Sequence, residues 1–322
     1  MALGPVLLYL TDQGTRFMPE LIATLPISLF VIVNFSVPIL VSAGLFFAAL
    51  CILYLCAFAL AWKQRPGVDS SLKNCISGRF EALRSNYIVL MPCLTSMLLV
   101  VVIMLQSLQT SVGVQTGSLE FQNPFIGYLI VSYAPVVEEL SFRITTIGAF
   151  GGLYLLWKTR QLPHYARLGS VRIFLQYVWS PDSAKRLLRY DTIEDSGLRR
   201  GTLSWEWILL GVTSASFGLA HYLSGAGWEI GKISTALVSG LALGFVYLRY
   251  GIYAPVLLHW YFNYYFGTYD LAHQLGVSVF GWMAPGIEQL NIGVGIVMII
   301  IFSLNYLSEH FPRVCLASPP KT

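Results

Sequence analysis

The chain has 322 residues, of which 56% are hydrophobic and 11% charged, and its formal net charge is +4. Soluble domains carry about 25% charged residues, so this composition, with a mean hydropathy of +0.65, excludes an ordinary soluble enzyme. A net charge this small argues through its placement rather than its size.

The start of the chain has no basic region leading into an apolar core with a small-residue cleavage site, so no cleaved secretory signal is expected. From Leu21 to Trp62 no residue is charged. About 20 apolar residues span a bilayer, so this run is read as two crossings, with Pro26 and Pro38 as breaks. Apolar runs punctuated by polar residues predict crossings near 21–36, 38–62, 86–107, 123–157, 205–223, 232–248, 252–268 and 289–307. The fourth is too long for one straight span, and Pro135 is the expected kink or break. The expected fold is therefore all-α: a polytopic membrane bundle of about eight helices, in one integral membrane domain over 1–322.

The connection after the second crossing holds Lys63, Arg65, Lys73, Arg79 and Arg84. The long connection 158–204 holds Lys158, Arg160, Arg167, Arg172, Lys185, Arg186, Arg189, Arg199 and Arg200. Two crossings separate them, so they share a side, and the positive-inside rule makes it cytoplasmic. With eight crossings both termini would be cytoplasmic too. Tyr165, Phe174, Tyr177 and Trp179 interleave the basic residues of 158–204, yet no nucleic-acid recognition motif is present, and the segment reads as topology charge on an amphipathic surface element. Cys51, Cys56, Cys75, Cys93 and Cys315 form no CxxC pair and are assigned no chemistry; the chain ends in PPKT, so it carries no prenylation box of its own. His164, His273 and His310 fall in connections or tails.

Within the apolar segments a few strongly polar groups remain: Glu138, Glu139, Arg143, His221, His259 and Asn263. Each charge at the centre of a bilayer costs roughly 2.5 to 3.5 kcal/mol, so three in the six residues EELSFR require an explanation. Glu139 and Arg143 are four apart with the acid first, which favours an ion pair on one helix face and leaves Glu138 about 100° away. Phe217 and His221 share a face of a second helix, as do His259 and Asn263 on a third. Three chemistries fit such a cluster: hydrolysis by a water held between Glu and His, a metal site, or proton transport. HExxH is absent, Arg143 would set a cation beside a metal, and no inverted repeat of a transporter is evident. Interhelical hydrogen bonding is the plain structural alternative.

Three stretches carry a resemblance. Glu138-Glu139-Leu-Ser-Phe-Arg143, Phe217-Gly-Leu-Ala-His221 and His259-Trp-Tyr-Phe-Asn263 resemble, in order, the EExxxR, FxxxH and HxxxN motifs of the CAAX protease and bacteriocin-processing family, over roughly Asn123 to Phe266. The resemblance implies a metal-independent intramembrane glutamic endopeptidase without a cofactor. In it Glu138 is the base for water with His221 as partner, His259 and Asn263 form the oxyanion hole, and Glu139, Arg143 and Phe217 support them. It implies a membrane-associated polypeptide substrate, prenylated or unmodified, in a bilayer and with no nucleic acid. The alternative is a non-hydrolytic peptide- or lipid-binding immunity protein on the same bundle. Ile144 stands where the family often has Gly, and 158–204 is longer than its usual spacer. A break at Pro135 would place Glu138 and His221 toward the non-cytoplasmic half, while His259 lies about 10 Å from the cytoplasmic end at 1.5 Å per residue.

Overall fold

The computed structural model describes residues 3–78, 80–119, 121, 123–160 and 170–310. Arg79, His164, Arg167 and Cys315 thus lie outside the described residues. Two short helices, α1 (Leu3–Tyr9) and α2 (Asp12–Phe17), lead into a two-stranded antiparallel hairpin, β1 (Leu21–Leu29) and β2 (Val33–Ser42). The helix expected over 21–36 is therefore not formed. This stretch is rich in β-branched residues, and Pro26 and Pro38 would each remove a helical hydrogen bond. In the hairpin Pro26 lies opposite Ser36 and Pro38 opposite Thr24, beside a register shift, which is where a two-stranded ladder tolerates proline. At the tip, Phe30 and Val31 adopt positive φ angles of 52° and 70°.

The chain continues through α3 (Ala43–Trp62), α4 (Val68–Ile76), a 3-10 turn (Phe80–Ser85) and α5 (Tyr87–Ser111). A long rod follows, formed by α6 (Pro124–Glu139), a π-helical segment (Leu140–Gly148) and α7 (Ala149–Arg160). Asn123 starts it by accepting from the Phe125 amide at 2.9 Å, with Pro124 in the first turn. Pro135 does not break this rod; the departure from α geometry comes at Leu140, directly after the two glutamates. Thr145 and Thr146 donate to the Ser141 carbonyl at 2.9 and 2.7 Å inside the π segment. The hairpin tip docks there: the Val31 amide bonds Ser141 Oγ at 3.0 Å and the Phe30 amide bonds Thr145 Oγ1 at 2.8 Å.

Three helices then form the part of the long connection among the described residues: α8 (Ser170–Trp179), α9 (Pro181–Leu187) and α10 (Ile193–Gly201), the last kinked at Gly197. They are a packed layer, not a loop. Leu155, Ile173, Tyr177, Ala184 and Leu188 form its core. Lys185 is fully buried, 2.9 Å from Asp182, 3.2 Å from Glu206 and 2.6 Å from the Gly201 carbonyl. Part of the basic charge assigned to topology is thus tied up in internal pairs.

The bundle closes with α11 (Ser204–Leu223), α12 (Gly231–Tyr250), α13 (Tyr253–Gln274) and α14 (Ser278–His310). A side chain on Gly218 would meet the Ile233 carbonyl, so glycine permits the close approach of α11 and α12. Gly251, at φ 89°, turns α12 directly into α13. Seven of the eight expected crossings fall on helices. Five helical spans among the described residues are long and apolar enough to cross a membrane: Ala43–Trp62, Tyr87–Ser111, Pro124–Lys158, Gly231–Tyr250 and Gly281–Leu307. Exposed Leu45, Ile52, Leu55, Ile296, Ile300 and Leu304 on α3 and α14 suit a lipid-facing surface. The protein is a helical, multi-pass membrane bundle.

Candidate functional site

The three motif helices meet inside the bundle. Glu139 and Arg143 are both fully buried and joined by a 3.1 Å ion pair across one turn of the rod. Arg143 also donates to the Gly240 carbonyl of α12 at 3.0 Å and sits over the Phe217 ring, 4.7 Å from its centroid. A buried guanidinium is tolerable when its charge and donors are satisfied, and here a carboxylate, a carbonyl and an aromatic face share it.

The same Glu139 oxygen lies 2.8 Å from His259 Nδ1. A carboxylate accepts, so Nδ1 carries the hydrogen and the ring is turned to present Nε2 to Glu138, whose Oε2 is 3.6 Å away. Glu139 thereby orients a histidine and anchors an arginine at once. Glu138 Oε2 is buried and receives no hydrogen bond from the described residues. His221 Nδ1 faces the Phe217 carbonyl at 2.8 Å; a carbonyl accepts, so this nitrogen also donates, and Nε2 is left for other work. Phe217 packs edge-on against both imidazoles, at centroid distances of 4.6 Å to His221 and 5.8 Å to His259.

Asn263 donates from Nδ2 to the Val131 carbonyl at 2.9 Å. α6 and α13 run antiparallel here: His259 meets Glu138 and Glu139, and Asn263 meets Val131. His221, His259 and Asn263 line a cavity of about 520 Å³. Glu138 is not among the lining residues, although a quarter of its side chain is exposed. All seven residues singled out from sequence therefore gather at one place.

The sequence reading missed Lys232. It lies in the first turn of α12, lines the same cavity, and holds its ammonium 3.8 Å from the Trp228 ring centroid. A lysine at a helix start reads as an interface residue, and only the fold turns it inward. Among the described residues no three His, Cys, Asp or Glu side chains converge as a metal-ligand set.

A buried acid, base and guanidinium on three helices of a membrane bundle define a class of intramembrane site, and the motif order narrows it. Residues 120–265, which include all seven residues, match the family model described as type II CAAX prenyl endopeptidase Rce1-like. This part of the chain is similar to the CAAX protease family, the family that the three motifs resemble. No curated protein and no solved structure matches the chain.

Proposed function

We propose that the protein is an intramembrane endopeptidase in which Glu138 activates water directly, without a metal or a covalent intermediate. The observation that carries this reading is the unbonded, buried Glu138 Oε2 facing His259 Nε2 at 3.6 Å, on a frame fixed by Glu139 and Arg143. Glu138 takes a proton from water as the oxygen attacks the scissile carbonyl carbon and the carbonyl electrons move to its oxygen. His221, with Nδ1 committed to Phe217, accepts at Nε2 and helps hold that water. Protonated at both nitrogens, His259 is a cation between Glu138 and Glu139 whose Nε2–H is a donor for the oxyanion, and the second amide hydrogen of Asn263 is another. Collapse of the intermediate breaks the C–N bond, and the proton held by Glu138 passes to the leaving amine. Neutralisation of Glu139 by Arg143 leaves Glu138 the carboxylate free for this work.

The substrate we propose is a membrane-associated polypeptide, prenylated or unmodified, consistent with the apolar and aromatic walls of the cavity. The two basic connections, which meet where Gln64, Trp179, Arg186 and Arg249 line a second cavity, are assigned to the cytoplasmic face. The Ala43 amide bonds the Glu20 carbonyl at 2.8 Å, so α1 and α2 pack at the other end of α3. The N-terminal segment accordingly goes with the opposite face, in place of the cytoplasmic position expected from eight crossings.

The test is cleavage of paired farnesylated and unmodified membrane peptides by the purified protein, with and without a strong chelator. Chelator-insensitive cleavage, abolished in Glu138→Gln, is expected. Cleavage lost to the chelator and restored by zinc would overturn the metal-independent mechanism.

A further inference from the structure

The cavity at the site is one-sided. On α5 it is lined from Leu98 to Gln106, and on the rod from Pro124 to Val131. α11 lines it only in its last two turns, with Phe217 and His221. On α13 the lining runs from His259 to Gln274, a rise of about 22 Å. Each helix thus contributes the part that runs toward one end of the bundle, where the 112–123, 224–230 and 275–277 connections lie. There Gly117 bridges Trp228, both of which line the cavity, and the Glu229 amide bonds the Thr116 carbonyl at 3.0 Å. Two connections therefore make one fixed rim.

The other way out is shorter and closed. His259 lies about 9 Å from the start of α13. Ala254, Leu257 and Leu258 fill that distance and are buried, and the Tyr87 hydroxyl donates to the Ala254 carbonyl at 2.6 Å. The Ile252 amide bonds the Trp179 carbonyl at 3.1 Å and the Tyr247 hydroxyl donates to the Val178 carbonyl at 2.8 Å, which clamps α8 onto the turn between α12 and α13. The second cavity, at Trp179 and Arg249, shares no lining residue with the first.

Charge assigns the two ends to different faces. The connections 108–122, 224–230 and 269–277 contain no Lys or Arg, and the cavity carries Asp270 and Glu288 toward its open end. The closed end carries the basic connections, which the positive-inside rule places in the cytoplasm. A polypeptide tethered at the cytoplasmic leaflet would reach the open end only by taking unpaired peptide groups through hydrocarbon, at a cost of several kcal/mol each.

We propose that the catalytic cavity opens to the non-cytoplasmic face, and that its substrates are polypeptides presenting the bond to be cleaved from that face rather than chains lipidated on the cytoplasmic leaflet. The inference rests on the endopeptidase reading and narrows its substrate class.

The test gives a quenched library of short soluble peptides to spheroplasts of a bacterium expressing the full-length protein and to sealed inverted vesicles from the same cells, each also after detergent and each with Glu138→Gln as control. Spheroplasts should cleave in a Glu138-dependent way, and inverted vesicles should be silent while sealed. Cleavage by sealed inverted vesicles would overturn the non-cytoplasmic opening and leave the protease reading standing. No cleavage in any preparation, or cleavage indifferent to Glu138→Gln, would overturn the protease reading and the substrate class with it. The opening itself is read without turnover, by an impermeant maleimide on single cysteines in a chain whose five native cysteines are alanine. Gln274→Cys, on the cavity wall, should react in spheroplasts, and Arg199→Cys, on α10, only in inverted vesicles. Reaction of Gln274→Cys from the inverted side would overturn the opening whatever the peptides show. The peptide experiment needs none of these cysteine variants, so it decides the matter if they fail to fold.

Discussion

Asn263 donates its side-chain amide to the carbonyl of Val131, the main-chain acceptor that Pro135, four residues on and lacking an N–H, leaves without its helical partner. An asparagine from α13 thus repairs the proline defect in α6 and is itself set beside His259. Asn263→Ala should destabilise the protein by about 1 to 3 kcal/mol, the cost of an unpaired buried polar group. Adding Pro135→Ala supplies the missing N–H and should recover most of that stability. Proteolysis should stay lost in the double variant, because the amide hydrogen proposed for the oxyanion is gone. Thermal denaturation with a cleavage assay reads both; recovery of activity along with stability would reduce Asn263 to a structural role.

Arg143→Ala leaves the buried Glu139 carboxylate without its cation and takes one donor from the Gly240 carbonyl, and breaking a buried pair costs about 3 to 5 kcal/mol. The variant should insert yet lose cleavage. Arg143→Lys keeps the charge but cannot serve Glu139, Gly240 and the Phe217 face together, so it should recover stability only in part. Denaturation midpoints and turnover of the three proteins, at equal membrane levels, decide this; an active Arg143→Ala would remove Arg143 from the account.

The Glu139 to Arg143 pair was legible in the sequence because the i, i+4 rule is local, and the three motifs showed which helices must converge. The relation of Asn263 to Pro135 was not, since it needs the antiparallel packing of α6 and α13. Nor was the hairpin: Leu21 to Ser42 satisfies length and hydropathy for a span, while its prolines and β-branched residues decide the local backbone. The Pro135 break failed for a related reason, in that a proline inside a helix is harmless once another element satisfies the freed carbonyl.

The layer formed by α8, α9 and α10 hangs on Lys185. Removing its ammonium in Lys185→Met leaves the buried Glu206 without its cation and the buried Asp182 with only the more distant Arg249, 4.0 Å away. A loss of about 3 to 5 kcal/mol is expected. The companion change Glu206→Gln in the same chain should relieve part of it. A double-mutant cycle by chemical denaturation measures the coupling; simple additivity would contradict the network.

Acid should loosen this layer, with a defined sign. Burial raises the Glu194 carboxyl, but the hydrogen bond from Arg186 and the charges of Arg249 and Arg186 outweigh it and hold it below the ordinary range. Asp195 is held low chiefly by the Thr192 hydroxyl, with Arg186 adding to it. Both are depressed in the folded state, so their stabilisation is fully present above the unfolded values, about 4, and is lost as pH falls through the lower folded values. Hydrogen exchange over Ile193–Gly201, corrected for intrinsic rates, should be flat from pH 7 to 5 and rise below about pH 4. A rise already between pH 7 and 5 would contradict this.

The most direct measurement is a comparison of new protein termini in the membrane fraction of cells expressing wild type or Glu138→Gln at equal levels, by mass spectrometry. The account predicts a set of termini present with wild type and absent with the variant, which would also identify the substrates and the membrane face on which they are cut. Identical termini in cells that contain prenylated and other membrane-associated polypeptides would contradict a protease built on Glu138.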